Sequence, residues 1–392
     1  MSQPHGPPSD PKATTVELFF DLVFVYAITQ VTTLLLSDLS PLGFAKSGLV
    51  LFLVWWAWSQ YTWMANAVGP ACRSIRFGML VASVPTFFVA FTLPDAYAAS
   101  ALWFCLSYFL VREIGLLLYW FALTDDRHQQ NALRTFIPFA SVAPTLVLIG
   151  GFVPDKPRTI LYAVSMVIDI LGALNAGKGN FRISASHFAE RYGLLVIIAI
   201  GESVIAIGIG AAQAERTPGL IFAITVMLAG VGVLFWSYFD WIAEAAEHRL
   251  AHIDASLRSR LARDLYTFLH FPIVAGVILY AVAAKKILAH ASEVLSVSGR
   301  FCLAGGIGLF LFGFILGSRR VGGHDMHERT TAVFLIALLS ALPLPIPGVA
   351  LAGACLLILC AALAVETSRR RQLPSHHHTA DPALPRSPTD VT

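Results

Sequence analysis

The sequence is short of charge. Only 13% of its 392 residues are Asp, Glu, Lys or Arg, where a soluble domain carries about 25%, and that shortage excludes a water-soluble protein. Cysteine is scarce too: Cys72, Cys105, Cys302, Cys355 and Cys360 show no CxxC spacing and mostly sit in apolar runs. They form neither a disulfide framework nor a metal set and read as small buried hydrophobes. No HExxH motif and no nucleophile–base pair at matched depth is present, so no catalytic residue, metal site or cofactor is expected, and enzymatic activity is not expected. The net charge of +3 comes with no aromatic-basic patch, which sets nucleic acid aside as a partner. Alternation of apolar and polar residues over about 10 positions is missing as well, against an outer-membrane barrel.

What the chain has in abundance is hydrophobic sequence, 56% of residues with a mean hydropathy of +0.69. Runs such as 16–37 and 98–123 reach the roughly 20 residues that an α-helix needs to cross about 30 Å of hydrocarbon. The expected fold is an all-α polytopic membrane bundle of about twelve spans. The windows lie near 16–37, 44–65, 74–93, 98–122, 133–152, 158–174, 187–211, 218–241, 263–288, 297–317, 329–343 and 347–366. Prolines 41, 70, 94, 154, 157, 218, 343, 345 and 347 fall between them, where a missing N–H costs little. Residues 1–15 are polar and Pro-rich, so the first apolar run is expected to stay as a membrane helix, and 1–15 and 367–392 are expected to be disordered cytoplasmic tails. Three tail histidines, His376 to His378, are too loosely held to count as a metal site.

An even number of spans puts both termini on one side. Most Lys and Arg, including Arg73, Arg76, Arg127, Arg134, Arg191, Arg249, Arg258, Arg260, Arg263, Arg319, Arg320 and Arg329, then fall on that same side. The positive-inside rule makes it cytoplasmic, giving a multi-pass membrane protein with both termini in the cytoplasm.

The halves of the chain also match in order. Glu17 with Leu22-Val23 aligns with Glu190 with Leu195-Val196 at an offset of 173, and Trp58 to Trp63 with Trp236 to Trp241 at 178. Arg73, Arg76 and Pro85 align with Arg260, Arg263 and Pro272 at 187, and Phe104-Cys105-Leu106 with Phe301-Cys302-Leu303 at 197. Offsets that only grow are what loop insertions produce. Residues 16–174 and 175–366 are therefore expected to be two six-helix repeats of parallel topology.

Ionisable groups within the spans locate the chemistry, since each costs about 2.5–3.5 kcal/mol near the bilayer centre unless it finds a partner or water. Glu17 and Asp21 lie four apart on one face of the first helix. Arg112 and Glu113 occupy the fourth span, Asp169 the sixth, Glu190 and Glu202 the seventh, and His270 the ninth. Depth allows Asp21, Arg112, Asp169 and His270 to meet on the cytoplasmic side of the midplane, with Arg112 as counter-charge to one of the acids. Around Glu202, Gly193, Gly201, Gly208 and Gly210 are expected to let a second backbone come close. Glu244, His248 and His252 recur every four residues, but each step turns about 40° around the helix, which makes a poor metal face.

Two blocks, Glu17-Leu-Phe-Phe-Asp-Leu-Val-Phe-Val25 and His187-Phe-Ala-Glu-Arg-Tyr-Gly193 continuing to Gly201-Glu202-Ser203, resemble the bacterial low temperature requirement protein A family. Tyr26 and Ala189 depart from its pattern without disturbing the match. The resemblance covers most of the chain and implies an inner-membrane protein tied to growth in the cold, with no activity attached. The pattern Phe20-Asp21, Val23-Phe24 and Ala27-Ile28-Thr29 also looks like the first helix of duplicated six-helix potassium channels, whose Ser before the Asp and upstream Arg are absent here. The expected function is transport or conduction of a small cation, coupled to protons, with the lipid bilayer as surroundings. The competing expectation is a structural or regulatory membrane protein that moves nothing; a lipid-directed enzyme is weaker than either.

Overall fold

The computed structural model describes residues 13–68, 72–123, 126–176, 181, 183–212, 214–240, 242–322 and 326–372. Among them the chain is a bundle of helices joined by short turns: α1 (Thr15–Ser37), α2 (Pro41–Val68), α3 (Arg73–Thr92), α4 (Ala101–Ala122), α5 (Arg127–Gly150), α6 (Asp155–Ala176), α7 (Ala185–Ala212) and α8 (Pro218–Phe239). Two short helices follow, α9 (Ile242–His252) and α10 (Ala255–Ala262), then a π-helical turn at Arg263–Phe268, α11 (His270–Ala289), α12 (Val297–Arg320), α13 (His327–Ala341) and α14 (Gly348–Gln372).

Eleven of these segments are long and apolar enough to cross a membrane, α10 to α11 counting as one of 33 residues. Of the twelve expected spans the exception is α13, whose 15 residues reach about 22 Å. Its chain continues extended, and Arg300 takes up the carbonyls that a helix would have satisfied, donating to Leu342 O and, at 2.7 Å, to Leu344 O. Backbone groups at membrane depth need such partners. The expected tail boundary at 366 moves outward: α14 runs on to Gln372, with Arg369 paired to Glu328 and Arg370 to Glu366. Residues 1–12 and 373–392, including His376 to His378, lie outside the described residues.

Local chemistry sets the starts of several helices. Thr14 accepts from Glu17 N at 3.3 Å and donates to Glu17 Oε1 at 2.9 Å, an N-cap that opens α1. Thr217, followed by Pro218, caps α8, and Ser296 caps α12. Before α11, Pro272 brings no N–H to the carbonyls behind it, and the chain relaxes into the π turn, where Leu269 N bonds Asp264 O five residues back. Trp55 of α2 donates its indole N–H to Thr267 O in that turn at 2.8 Å.

α2 and α11 are the most enclosed helices, while α3, α5, α6 and α14 turn apolar faces such as Phe87, Phe91, Ile149, Ile160 and Leu357 outward, as lipid-facing helices do. Neighbours recur in the two halves. α1 packs on α2 and α3, α3 on α4, α4 on α5, α5 on α6 and α2 on α6; likewise α7 on α8 and α11, α11 on α12, α12 on α13, α13 on α14 and α8 on α14. The halves meet where α1 and α2 pack on α7 and α11.

Of the four α7 glycines expected to allow a close backbone approach, Gly210 does so, a Cβ there lying 3.4 Å from Leu288 Cβ and 3.8 Å from Lys285 Cα of α11. A Cβ on Gly201 or Gly208 would meet nothing within 4 Å, and one on Gly193 only the Phe239 ring at 3.6 Å. It is α11 and α12 that touch through backbone: a Cβ on Gly276 would sit 2.5 Å from Gly306 O and 2.6 Å from Phe310 N.

Candidate proton and ion site between α1 and α7

Four residues face each other at the start of the α1–α7 seam. On α1, the i, i+4 spacing of Glu17 and Asp21 puts both carboxylates on one face; on α7, His187 and Arg191 share the same spacing and face them. His187 Nε2 lies 2.8 Å from Glu17 Oε2, Arg191 Nη1 lies 3.4 Å from that oxygen, and Arg191 Nη2 donates to Asp21 Oδ1. Trp58 of α2 adds its indole N–H to the same Asp21 oxygen at 2.7 Å. Asp21 and Arg191 are fully buried and Glu17 is 4% exposed.

Asn66 fixes the proton on His187. Its Oδ1 accepts from the backbone N–H of Ser184 at 3.1 Å, so its Nδ2 is the donor, reaching Ser184 O at 3.0 Å and His187 Nδ1 at 3.2 Å. Nδ1 therefore accepts, and the ring proton sits on Nε2, pointing at Glu17. With that imidazole neutral, two carboxylates share one guanidinium. The cluster holds one carboxyl group more than its guanidinium can neutralise, and Asp21 Oδ2, Arg191 Nε and Arg191 Nη1 have no hydrogen-bond partner among the described residues. Such a site can take up a proton or a small cation.

Further along the same seam Thr29 donates to Glu202 Oε2 at 2.6 Å, while Glu202 Oε1 has no partner among the described residues. Eight residues of α1, about 12 Å of helix, separate this contact from Asp21, and buried Phe24, Ile28, Leu195 and Ala199 occupy the two helices in between. Glu190 stands apart at the mouth, accepting from Ala13 N at 2.7 Å.

Arg112 goes to Asp169, not to Asp21. Both guanidinium ends reach Asp169, at 2.8 and 2.7 Å, Nε donates to Gln60 Oε1 at 2.6 Å and Nη1 also to Tyr108 OH at 2.7 Å. Every nitrogen is engaged, in a fork geometry that only Arg provides. Glu113, next in sequence, is not part of this group; it is half-buried, with Oε1 unpartnered among the described residues. His270 is likewise satisfied: Nδ1 donates to Leu265 O at 2.8 Å and Nε2 accepts from Tyr238 OH at 2.9 Å. The expected residues thus form separate groups instead of one convergent centre.

A small cleft of about 70 Å³, lined by Trp56, Ser59, Gln60, Trp63, Arg263 and Thr267 among others, opens between the halves. Gln60 belongs to the Arg112 group. Ser59 and Thr267 lie 3.4 Å from Tyr192 OH, whose ring meets the Trp58 indole edge-on at 4.8 Å. The cleft thereby comes within one aromatic layer of Asp21.

Two arginines that sequence reasoning counted only as cytoplasmic-side charges, Arg191 and Arg329, are buried. Arg329 donates from Nε to Glu366 Oε2 at 2.8 Å and from Nη1 to Ser237 Oγ at 2.9 Å. The signal for Arg191 was the matching i, i+4 pair with His187 opposite Glu17 and Asp21. Among the described residues no group of three His, Cys, Asp or Glu could hold a metal; the Glu244 side chain lies outside them, and His252 Nδ1 is bonded to His248 O.

The family model for the bacterial low temperature requirement A protein matches residues 12–365, from just before the N-cap of α1 almost to the Glu366 that holds Arg329. The chain belongs to this family. All four seam residues, the Thr29–Glu202 contact and the Arg112–Asp169 pair lie inside the matched region. The chain is also similar to an uncharacterized protein of Rhizobium meliloti (strain 1021), 28% identical over 350 residues, which are 86% of this chain and 84% of the relative. No solved structure matches the chain.

Proposed function

We propose that this family member is a proton-coupled transporter or channel for a small cation, with no enzymatic role, set in a bacterial inner membrane with both termini cytoplasmic. One observation carries the reading: Glu17 and Asp21, buried inside the bundle, share the single charge of Arg191 while His187 presents a proton to Glu17. A structural ion pair needs no second carboxylate. The surplus acid is the group that binds and releases a proton, and a second proton arriving at His187 Nδ1 meets the Asn66 amide, whose other contacts hold the first residues of α7. Proton occupancy would in this way act on the α1–α7 seam, with Glu202 as the second station beyond the apolar stretch.

The matching neighbour order of α1–α6 with α7, α8 and α11–α14 supports the reading of residues 16–174 and 175–366 as parallel repeats. Thr29 and Glu202 are 173 residues apart, the offset at which Glu17 aligns with Glu190, so aligned positions of α1 and α7 touch at one level.

The test is flux. In proteoliposomes carrying a pH-sensitive dye, a cation gradient should drive proton movement that Asp21→Asn abolishes and Glu202→Gln slows. Wild-type protein that moves no proton under any monovalent cation gradient would end the proposal.

A second reading, a structural or regulatory membrane protein without transport, is favoured by the Arg112–Asp169 group, which is closed on all sides and separate from the seam. It requires that Asp21→Asn and Glu202→Gln lower stability without changing any flux.

A further inference from the structure

We infer that Ser59, Tyr192 and Thr267 form a binding site for one monovalent cation the size of sodium, beside the cleft between the halves. Their hydroxyl oxygens stand at the corners of a triangle with sides of 3.4 Å: Ser59 to Tyr192, Ser59 to Thr267 and Tyr192 to Thr267. The oxygens come from three segments, α2, α7 and the π turn, and all three residues are buried. Hydroxyls that serve one another settle at about 2.7–2.8 Å, and among the described residues neither Ser59 nor Tyr192 has a closer partner. Oxygens held this far apart have the spacing of ligands around an ion. A cation that takes oxygens at about 2.3–2.6 Å has neighbouring ligands in an octahedron about 1.4 times as far from each other, roughly 3.3–3.7 Å. Magnesium, at about 2.0–2.1 Å, would close the triangle to about 2.8–3.0 Å, and potassium, larger than sodium, would open it. Calcium has the right size but brings a second charge, against which three neutral hydroxyls set nothing.

The surroundings suit an ion that enters and leaves. Ser59 and Thr267 also line the cleft, so one side of the triangle borders space from which water can complete the coordination. Thr267 lies in the π turn that interrupts the Leu257–Ala289 span, and interrupted membrane helices are where transporters hold sodium. Trp63 donates to Thr267 Oγ1 at 2.9 Å and Trp55 to Thr267 O at 2.8 Å, which pins that residue while its hydroxyl keeps a second lone pair for an ion. Arg263 shares the cleft, but Asp264 takes its charge, Oδ1 lying 2.6 Å from Nη2. The counter-charge is the surplus carboxyl of Glu17 and Asp21, one aromatic layer away: the Tyr192 ring meets Trp58, whose indole N–H is on Asp21. As the station of a transported ion the site rests on the proposed function; as a binding site it does not.

Scintillation-proximity binding of radiolabelled sodium to the full-length protein in a non-ionic detergent tests the assignment, with choline holding the ionic strength. Binding should be saturable, displaced by unlabelled sodium and at least about tenfold less well by potassium. Tyr192→Phe and Ser59→Ala, which each remove one oxygen and little volume, should weaken it at least about fivefold. Thr267→Ser keeps the hydroxyl and should stay within about twofold. Thr86→Val, which removes a buried hydroxyl of α3 that bonds only its own helix at Ala82 O, should bind like wild type. If Tyr192→Phe fails to fold, Ser59→Ala decides alone. No saturable binding, potassium competing as well as sodium, wild-type affinity in folded Ser59→Ala, or an equal loss in Thr86→Val would each overturn the site. Wild-type protein that binds sodium as described but moves no proton would end the proposed function and leave this site standing, and flux without saturable sodium binding would do the reverse.

Discussion

Asp21 and Arg191 are joined through one carboxylate oxygen, and the other oxygen of Asp21 and two nitrogens of Arg191 have no hydrogen-bond partner among the described residues. A buried pair this incomplete holds the helices together and remains open to a further charge. Removing one partner strands the other, at a cost of about 3–5 kcal/mol, whereas removing both leaves no bare charge. Thermal unfolding in detergent should therefore show Asp21→Asn and Arg191→Gln each strongly destabilised and the double variant less so than their sum. Strict additivity would mean that the two side chains do not interact.

The Arg112–Asp169 group makes the opposite prediction. It is saturated, so it contributes packing specificity without a role in flux. Arg112→Met with Asp169→Leu should be close to neutral in stability, as apolar replacements of buried pairs often are, and each single variant should cost about 3–5 kcal/mol. Gln60 and Tyr108 lose partners in the exchange, which sets a lower limit on the damage. The double variant should conduct protons in the dye assay as the wild type does.

Glycines separate the tight helix contact from the loose one. Gly276→Ala drives a methyl into the backbone of α12 at Gly306 and Phe310, which cannot yield as a side chain would. A loss of about 1–3 kcal/mol or more is expected in a denaturant titration. Gly201→Ala, facing open space, should be neutral or stabilising by up to about 1 kcal/mol through helix propensity. The reverse order of effects would contradict the packing described.

The spans were legible in the sequence because each is a long apolar run, and α13 read as the short one for the same reason: it has only 15 helical residues. Glu17, Asp21 and Glu202 stood out as acids in oil. Their partners did not, because Arg191 and Arg329 sit near the ends of apolar runs, where arginine is ordinarily a loop residue. Nothing local distinguishes an arginine that turns inward. Pairing across 170 residues, as between Asp21 and Arg191, depends on which helices become neighbours, and periodicity is silent on that. The same holds for the α7 glycines: small residues permit a close approach, but whether a helix takes it is decided by the partner.

Trp55 and Trp58 offer the sharpest separation of structure from function. Both indoles are buried in α2, and both donate one hydrogen bond, Trp55 to the Thr267 carbonyl in the π turn and Trp58 to Asp21. Phe in either place removes a donor and leaves a buried acceptor short of one partner, at a cost of about 1–3 kcal/mol. The two variants should therefore unfold at similar temperatures. Only Trp58→Phe alters the hydrogen bonding of the carboxylate proposed to carry the proton, so only that variant should change proton flux in proteoliposomes. Equal flux in the two variants, with stability reduced in both, would assign Asp21 to packing and leave the structural reading standing.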